Sequence, residues 1–368
     1  MPLKGLFTQS AAVLLDRPAS LDAVADLLGG DDAGLTRVAG DPLDGDDPGL
    51  VRHPADAYGP RLFVPFPPKH PNGDMPSADR GVAAVDVVNV PWPDGMGDPE
   101  DATDGQMALF AAWAGGQFGP GAFPDNLASA VDQAWHWPEA AEVVPRHRAF
   151  VRILTTYAVG SDVEDPALPD DYSPLHELTF ATFLADRFLD LPGALCYFNP
   201  TGCTVWPKET FRETIAFHQT HRVPPLPLWG NVRLMKADAF LAESGVDETG
   251  WSVMDTVGNG QLDLPDVELI LRTDKWDLND ADGLLRNLSL ELLNGWPAKT
   301  GDVVPGPAPA GAVPGGGAAN PEQDVPWRVT RCEDGVSAPP RPTVRLIAQD
   351  GTEPPAELLR VRHPRRDG

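Results

Sequence analysis

The chain has 368 residues, long enough for two domains or one large one, and 42% of them are hydrophobic, which suffices for a buried core. Lys and Arg number 28 against 54 Asp and Glu, giving a formal net charge of −26; this argues against a duplex-binding surface, because phosphate contacts need clustered cations. Neither nucleic acid nor a membrane is an expected partner.

Ala11 to Leu15 predicts a strand, and Ser20 is placed to cap a helix whose Leu21, Val24, Ala25 and Leu28 share one face before Gly29-Gly30. The Asp- and Gly-rich stretch 30–49 reads as a solvated loop. Leu62 to Phe66 and Val82 to Val90 read as strands on either side of the proline-rich 67–76. Met107 to Trp113 predicts a helix, Asp125 is placed to cap Leu127 to Trp135, and Pro138 suits the first turn of a helix through Ala140 and Val144.

Phe150 to Ala158 predicts a strand. Ser173-Pro-Leu-His-Glu then opens a long helix with Leu175, Leu178, Phe183 and Phe188 at helical spacing. Ala194 to Phe198, Val205 to Pro207, the helix Lys208 to His221 and a strand from Leu228 to Met235 complete the element order of a split β-α-β module. The expected fold is α+β, with mixed or antiparallel sheets, helices packed on one face and ferredoxin-like β-α-β modules. The expected lobes are 1–147 and 148–350, followed by a basic tail at 351–368.

The best-specified stretch is Gly250 to Arg272. Trp251 to Met254 and Val267 to Leu271 carry the β-branched and large apolar residues of buried strands, and Gly258-Asn-Gly260 with Pro265 supplies the turn between them. A second reading lays Asp255 to Asp266 on a calcium loop, with oxygen ligands at its first, fifth, ninth and twelfth places and Gly260 at the sixth. Val257 at the third place and Asp266 in place of a longer Glu depart from that pattern. The helix Asp280 to Gly295 and strands Trp327 to Cys332 and Thr343 to Ile347 follow, with the Pro-, Gly- and Ala-rich 305–320 as a surface excursion.

Met254-Asp-Thr-Val-Gly followed by Leu264-Pro-Asp-Val-Glu268 resembles the hallmark of the bacterial domain-of-unknown-function family 4261. Trp135-His-Trp-Pro, Thr300-Gly-Asp-Val-Val and Trp327-Arg-x-x-Arg-Cys-Glu are similar to further stretches of that family. The resemblance implies no known activity. On it rest the candidate binding residues Asp255, Thr256, Gly258, Asp266, Glu268, Trp135 and Trp137.

His218 and His221, three apart on one helix face, are candidate metal ligands that lack the Glu of a metalloprotease helix; the structural reading, complementarity with the helix dipole, is preferred, and no metal site is assigned. Cys196, Cys203 and Cys332 form no Cys-x-x-Cys pair and are expected as reduced thiols. Neither a Gly-x-Ser-x-Gly elbow, a phosphate-binding loop nor a dinucleotide fingerprint is present, so no cofactor is expected and no catalytic residue is assigned. The N-terminal residues and the absence of a long apolar run point to the cytoplasm. The expected function is a non-catalytic binding or regulatory protein with another protein as partner. The rivals are an enzyme of unassigned, hydrolase-like chemistry using Asp255, Asp266, Glu268 or the histidine pair, and calcium binding at 255–266. Trp92, Trp206, Trp229 and Trp327, all near prolines, are candidates to line a partner groove or to form core edges.

Overall fold

The computed structural model describes residues 4, 6–29, 36–38, 61–66, 81–95, 103–158, 168–169, 172–309 and 324–359. The expected loop at 67–76, the excursion at 310–320, the tail at 360–366 and most of the loops at 30–49 and 162–171 lie outside the described residues. The chain forms two compact units, 1–230 and 231–368. This corrects the expected division at 147: strand 149–156 sits between two N-terminal strands in one sheet.

The first unit runs β1 (Gln9–Leu15), α1 (Leu21–Leu27), β2 (Thr36–Val38), β3 (Arg61–Pro65), β4 (Val82–Val88), α2 (Asp104–Ala114), α3 (Asn126–Asp132), α4 (Ala140–Val143), β5 (Ala149–Thr156), α5 (Pro174–Phe188), β6 (Ala194–Asn199), β7 (Thr204–Pro207), α6 (Lys208–His221) and α7 (Leu226–Trp229). Among the described residues its sheet has the order β2-β3-β4-β5-β1-β6-β7, with every neighbour antiparallel. Both β5 and β6 are antiparallel to the β1 between them, so they run parallel to each other with α5 as the crossover. That is the expected split β-α-β unit. The next expected strand leaves it, however: residues 231–236 pair in the second sheet. Residues 226–229 are helical where a strand was expected from Leu228, because Pro224, Pro225 and Pro227 cannot donate to a ladder.

Successive strand residues point to opposite faces. Tyr197 meets Phe211 of α6 on one face, 4.7 Å between ring centroids. Phe198 meets Trp92 on the other at 5.0 Å, where Trp113 of α2 and Phe118 complete an aromatic cluster. Helices are therefore not confined to one face of this sheet. Ser173 caps α5, accepting from the His176 N–H at 3.3 Å, and Pro174 occupies its first turn. Asp125 does not cap α3: it adopts a left-handed φ of 65° without a side-chain cap bond. Asp94 takes that place from a distant loop, its two oxygens accepting from Leu127 N at 2.8 Å and Ala128 N at 2.7 Å.

The second unit runs β8 (Asn231–Lys236), α8 (Asp238–Glu243), β9 (Trp251–Val257), β10 (Asp266–Arg272), α9 (Leu278–Leu293), β11 (Val303–Gly306), β12 (Val325–Cys332), β13 (Thr343–Ala348) and α10 (Ala356–Leu359). Its described strands have the order β11-β12-β13-β10-β9-β8, and the β10-β13 pair is parallel. Leu285, Leu288 and Leu292 of α9 pack on Met254, Leu269 and Leu346. Each such leucine contributes roughly 1.5–3 kcal/mol by burial. Residues 351–359 do not form a free tail, since Leu358 is buried in a second apolar cluster with Trp251, Val253 and Ile270.

Candidate functional site

The hairpin expected at 251–272 is present: Trp251 pairs with Arg272 and Asp255 with Glu268. Its link is a short 3-10 turn, Asn259–Leu262, entered through Gly258 at φ 124°. The sequence-predicted carboxylates do converge, but inside the protein. Arg233, Asp255, Glu268 and Arg345 are successive partners across β8, β9, β10 and β13, forming one row on the face opposite α9. Asp255 and Glu268 are fully buried and Asp266 is 3% exposed.

Two carboxylates side by side in a dry sheet are unfavourable unless each is neutralised. Arg233 grips Asp255 with both ends of its fork, Nε to Oδ1 at 3.0 Å and Nη2 to Oδ2 at 2.7 Å. Arg345 Nε reaches Glu268 Oε1 at 2.5 Å. Arg341 bridges, donating from Nε to Asp266 Oδ2 at 2.8 Å and from Nη2 to Asp255, which also accepts from the Ser337 hydroxyl. The second oxygen of Glu268 accepts from Val336 N at 2.8 Å. Through these bonds the row fastens the 335–341 segment to the sheet.

Burial pushes the Asp255 carboxyl up, but Arg233 and Arg341 together outweigh it and hold it below the usual range. For Asp266 and Glu268 burial wins, and both are raised despite Arg341 and Arg345. Asp266 Oδ1 meanwhile accepts from Thr256 Oγ1 at 2.9 Å and Asn259 N at 3.0 Å, and so shapes the turn. The calcium reading is corrected here. Strands flank the loop where that motif needs helices, and its end carboxylates are already held by guanidiniums whose charge opposes a cation. Among the described residues no group of three or more His, Cys, Asp or Glu is arranged to hold a metal.

The other predicted residues are dispersed. Thr256 and Gly258 are buried within the hairpin and Trp137 is buried, whereas Trp135 is 48% exposed. His136, beside it, stacks on Trp206 with ring centroids 3.7 Å apart. His221 turns its Nδ1 to the Phe217 carbonyl of its own helix at 2.8 Å, while His218 faces a cleft, so the two imidazoles serve different surroundings. All three cysteines are free thiols, and burial raises the Cys196 thiol well above its usual value.

That cleft, of about 450 Å3, lies in the first unit between α5, α6 and the 222–229 segment. Leu175 and Phe183 of α5, Ile215 of α6, Val223, Pro224 and Pro225 give it an apolar lining over a floor of buried Trp229. Among the four proline-flanked tryptophans Trp229 alone lines it, and Trp92, Trp206 and Trp327 are core residues. Sequence reasoning missed Phe183 as a lining residue because its helical spacing reads as core, yet it is 49% exposed. Comparisons with protein families, with curated proteins and with solved structures find no match.

Proposed function

We propose that the chain is a cytoplasmic, non-catalytic binding protein whose binding site is the cleft between α5 and α6. The observation that carries this reading is the half-exposed Phe183, which with Ile215 and Pro224-Pro225 lines a concavity of about 450 Å3, a size and lining typical of small-molecule or peptide side-chain sites. Apolar surface left in water there favours any ligand that covers it, at roughly 25 cal/mol per Å2. The buried carboxylates support the same reading. Each is bonded to an arginine, so they act as fasteners of the second unit and not as proton donors or acceptors toward a substrate. The hairpin is itself buried, which moves the expected partner-facing surface from 251–272 to the cleft. A distant kinship with family 4261, proposed on residues 254–258 and 264–268, adds no activity to this.

Titration with N-phenyl-1-naphthylamine, a neutral apolar dye, tests the reading. Saturable binding at one site per chain is expected, and Ile215→Trp, which fills the cleft, is expected to abolish it with an unchanged far-ultraviolet spectrum. Absence of saturable binding to the native chain, or full binding by the filled variant, overturns the assignment.

A further inference from the structure

We infer that the cleft takes a monocarboxylate with an apolar tail, the tail lying over Trp229 and the carboxylate meeting Arg222; the inference rests on the cleft being the binding site. Apart from the His218 and Gln219 side chains, the polar groups that line the interior leave little for a ligand to bond. Trp229 Nε1 donates to Thr182 Oγ1 at 2.8 Å, and that hydroxyl donates in turn to Leu178 O at 2.7 Å. The Thr179 hydroxyl is likewise engaged by Leu175 O at 2.7 Å, and Asp186 is held by Arg212 Nε at 2.6 Å. A polar group placed among these would lose water without gaining a partner.

The lip differs. Arg222 ends α6 in a left-handed conformation, φ 55° and ψ 39°, and lines the opening with an exposed side chain. Among the described residues it has no side-chain partner, in a chain where acids outnumber bases 54 to 28. An arginine fork next to an apolar trough matches a planar carboxylate, which it can bind through two parallel N–H bonds. One guanidinium balances one negative charge. The carbonyl end of α6 adds partial negative charge beside Arg222, which disfavours the second charge of a phosphate head.

The test is calorimetric titration of the full chain with decanoate, decanol and decyltrimethylammonium, each below its aggregation concentration. Decanoate is expected to bind about tenfold more tightly than decanol and the cation more weakly than either, a difference set by one charge-assisted fork. Arg222→Gln is expected to bring the acid-to-alcohol preference to about unity, and Arg222→Lys to restore part of it. Equal binding of decanoate and decanol to the native chain, or a preference that survives Arg222→Gln, overturns the head-group assignment and leaves the cleft as an apolar site. Binding of none of the three overturns the cleft reading itself.

Discussion

Arg233 holds Asp255 across β8 and β9 with the same two-pronged geometry by which Arg152 holds Asp86 across β4 and β5: Nε to Oδ1 at 3.0 Å and Nη2 to Oδ2 at 2.7 Å in both. Each unit thus carries a bidentate Arg-Asp pair inside its sheet. In the first unit Arg61 adds a second cation to Asp86 at 3.3 Å, and in the second the row continues to Glu268 and Arg345. A buried ion pair contributes little net stability compared with well-packed apolar residues, but it fixes strand register, because a slip of one residue would strand a charge in the core.

Asp255→Asn should therefore be costly. Among the described ion pairs it leaves buried Arg233 with no carboxylate and Arg341 with Asp266 alone, and removal of one member of such a network costs about 3–5 kcal/mol. Guanidinium unfolding should show a marked fall in the midpoint of the second unit. An unchanged midpoint would mean that the guanidiniums are hydrated and that the row does not hold the 335–341 segment.

Glu177 gives a pH dependence of opposite sign to an ordinary salt bridge. It is fully buried in α5 and its carboxylate accepts from Thr8 Oγ1 at 2.9 Å and Gln9 Nε2 at 3.0 Å. Burial nonetheless dominates and raises its pKa above the usual 4.5. A carboxyl whose folded pKa is raised binds its proton more tightly in the fold than in the unfolded chain. Its ionisation therefore destabilises the fold above the raised folded value, and that penalty fades as the pH falls toward the unfolded one. Glu177→Gln should be more stable than the native chain at pH 8, with the advantage gone near pH 4. Urea midpoints at the two pH values check this, and a variant less stable at pH 8 sinks it.

Much of this architecture was legible in the sequence. The 251–272 hairpin shows two apolar runs about a glycine turn, α5 shows helical spacing with a Ser173 cap, and α6 runs between Pro207 and Pro224-Pro225. The arginine partners had a local signal too: Val151-Arg-Ile, Val232-Arg-Leu and Val344-Arg-Leu each set a cation inside an apolar strand, which requires a buried carboxylate across the ladder. Which carboxylate answers which arginine depends on strand order, and no local pattern encodes that. Arg341 and Ser337 reach Asp255 from 86 and 82 residues away. The cleft was illegible for a related reason. Phe183 and Trp229 both read as apolar in sequence, and only the tertiary packing decides that one is covered and the other half bare.

The remote cap on α3 is a second case of long-range assignment. Asp94 serves helix N–H groups 33 and 34 residues away, so Asp94→Ala should destabilise the first unit by about 1 kcal/mol. For a unit of this size that is a fall in Tm of roughly 2–4 °C. Asp125→Gly, at the left-handed position that the sequence would nominate as the cap, should leave Tm the same or higher, since glycine adopts φ 65° without strain. If Asp125→Gly were the more damaging variant, the cap would belong to Asp125 after all.

Gly202 and Gly283 should respond in opposite directions to the same substitution. A Cβ on Gly202 would lie 2.0 Å from the Trp229 carbonyl oxygen and 2.7 Å from its carbon, so the 226–230 backbone would have to move. That motion would draw the Trp229 indole off Thr182 and deform the cleft floor. Gly202→Ala is therefore expected to cost more than about 3 kcal/mol and to abolish dye binding in any fraction that still folds. Gly283 lies within α9, and a methyl carbon added there would meet nothing within 4 Å. At that position alanine removes unfolded-state freedom at no steric cost and should stabilise by about 0.5–1 kcal/mol. Chemical denaturation of the two variants side by side decides the matter: a tolerated Gly202→Ala would mean that the 200–203 turn does not press against Trp229, and the floor of the proposed site would lose its support.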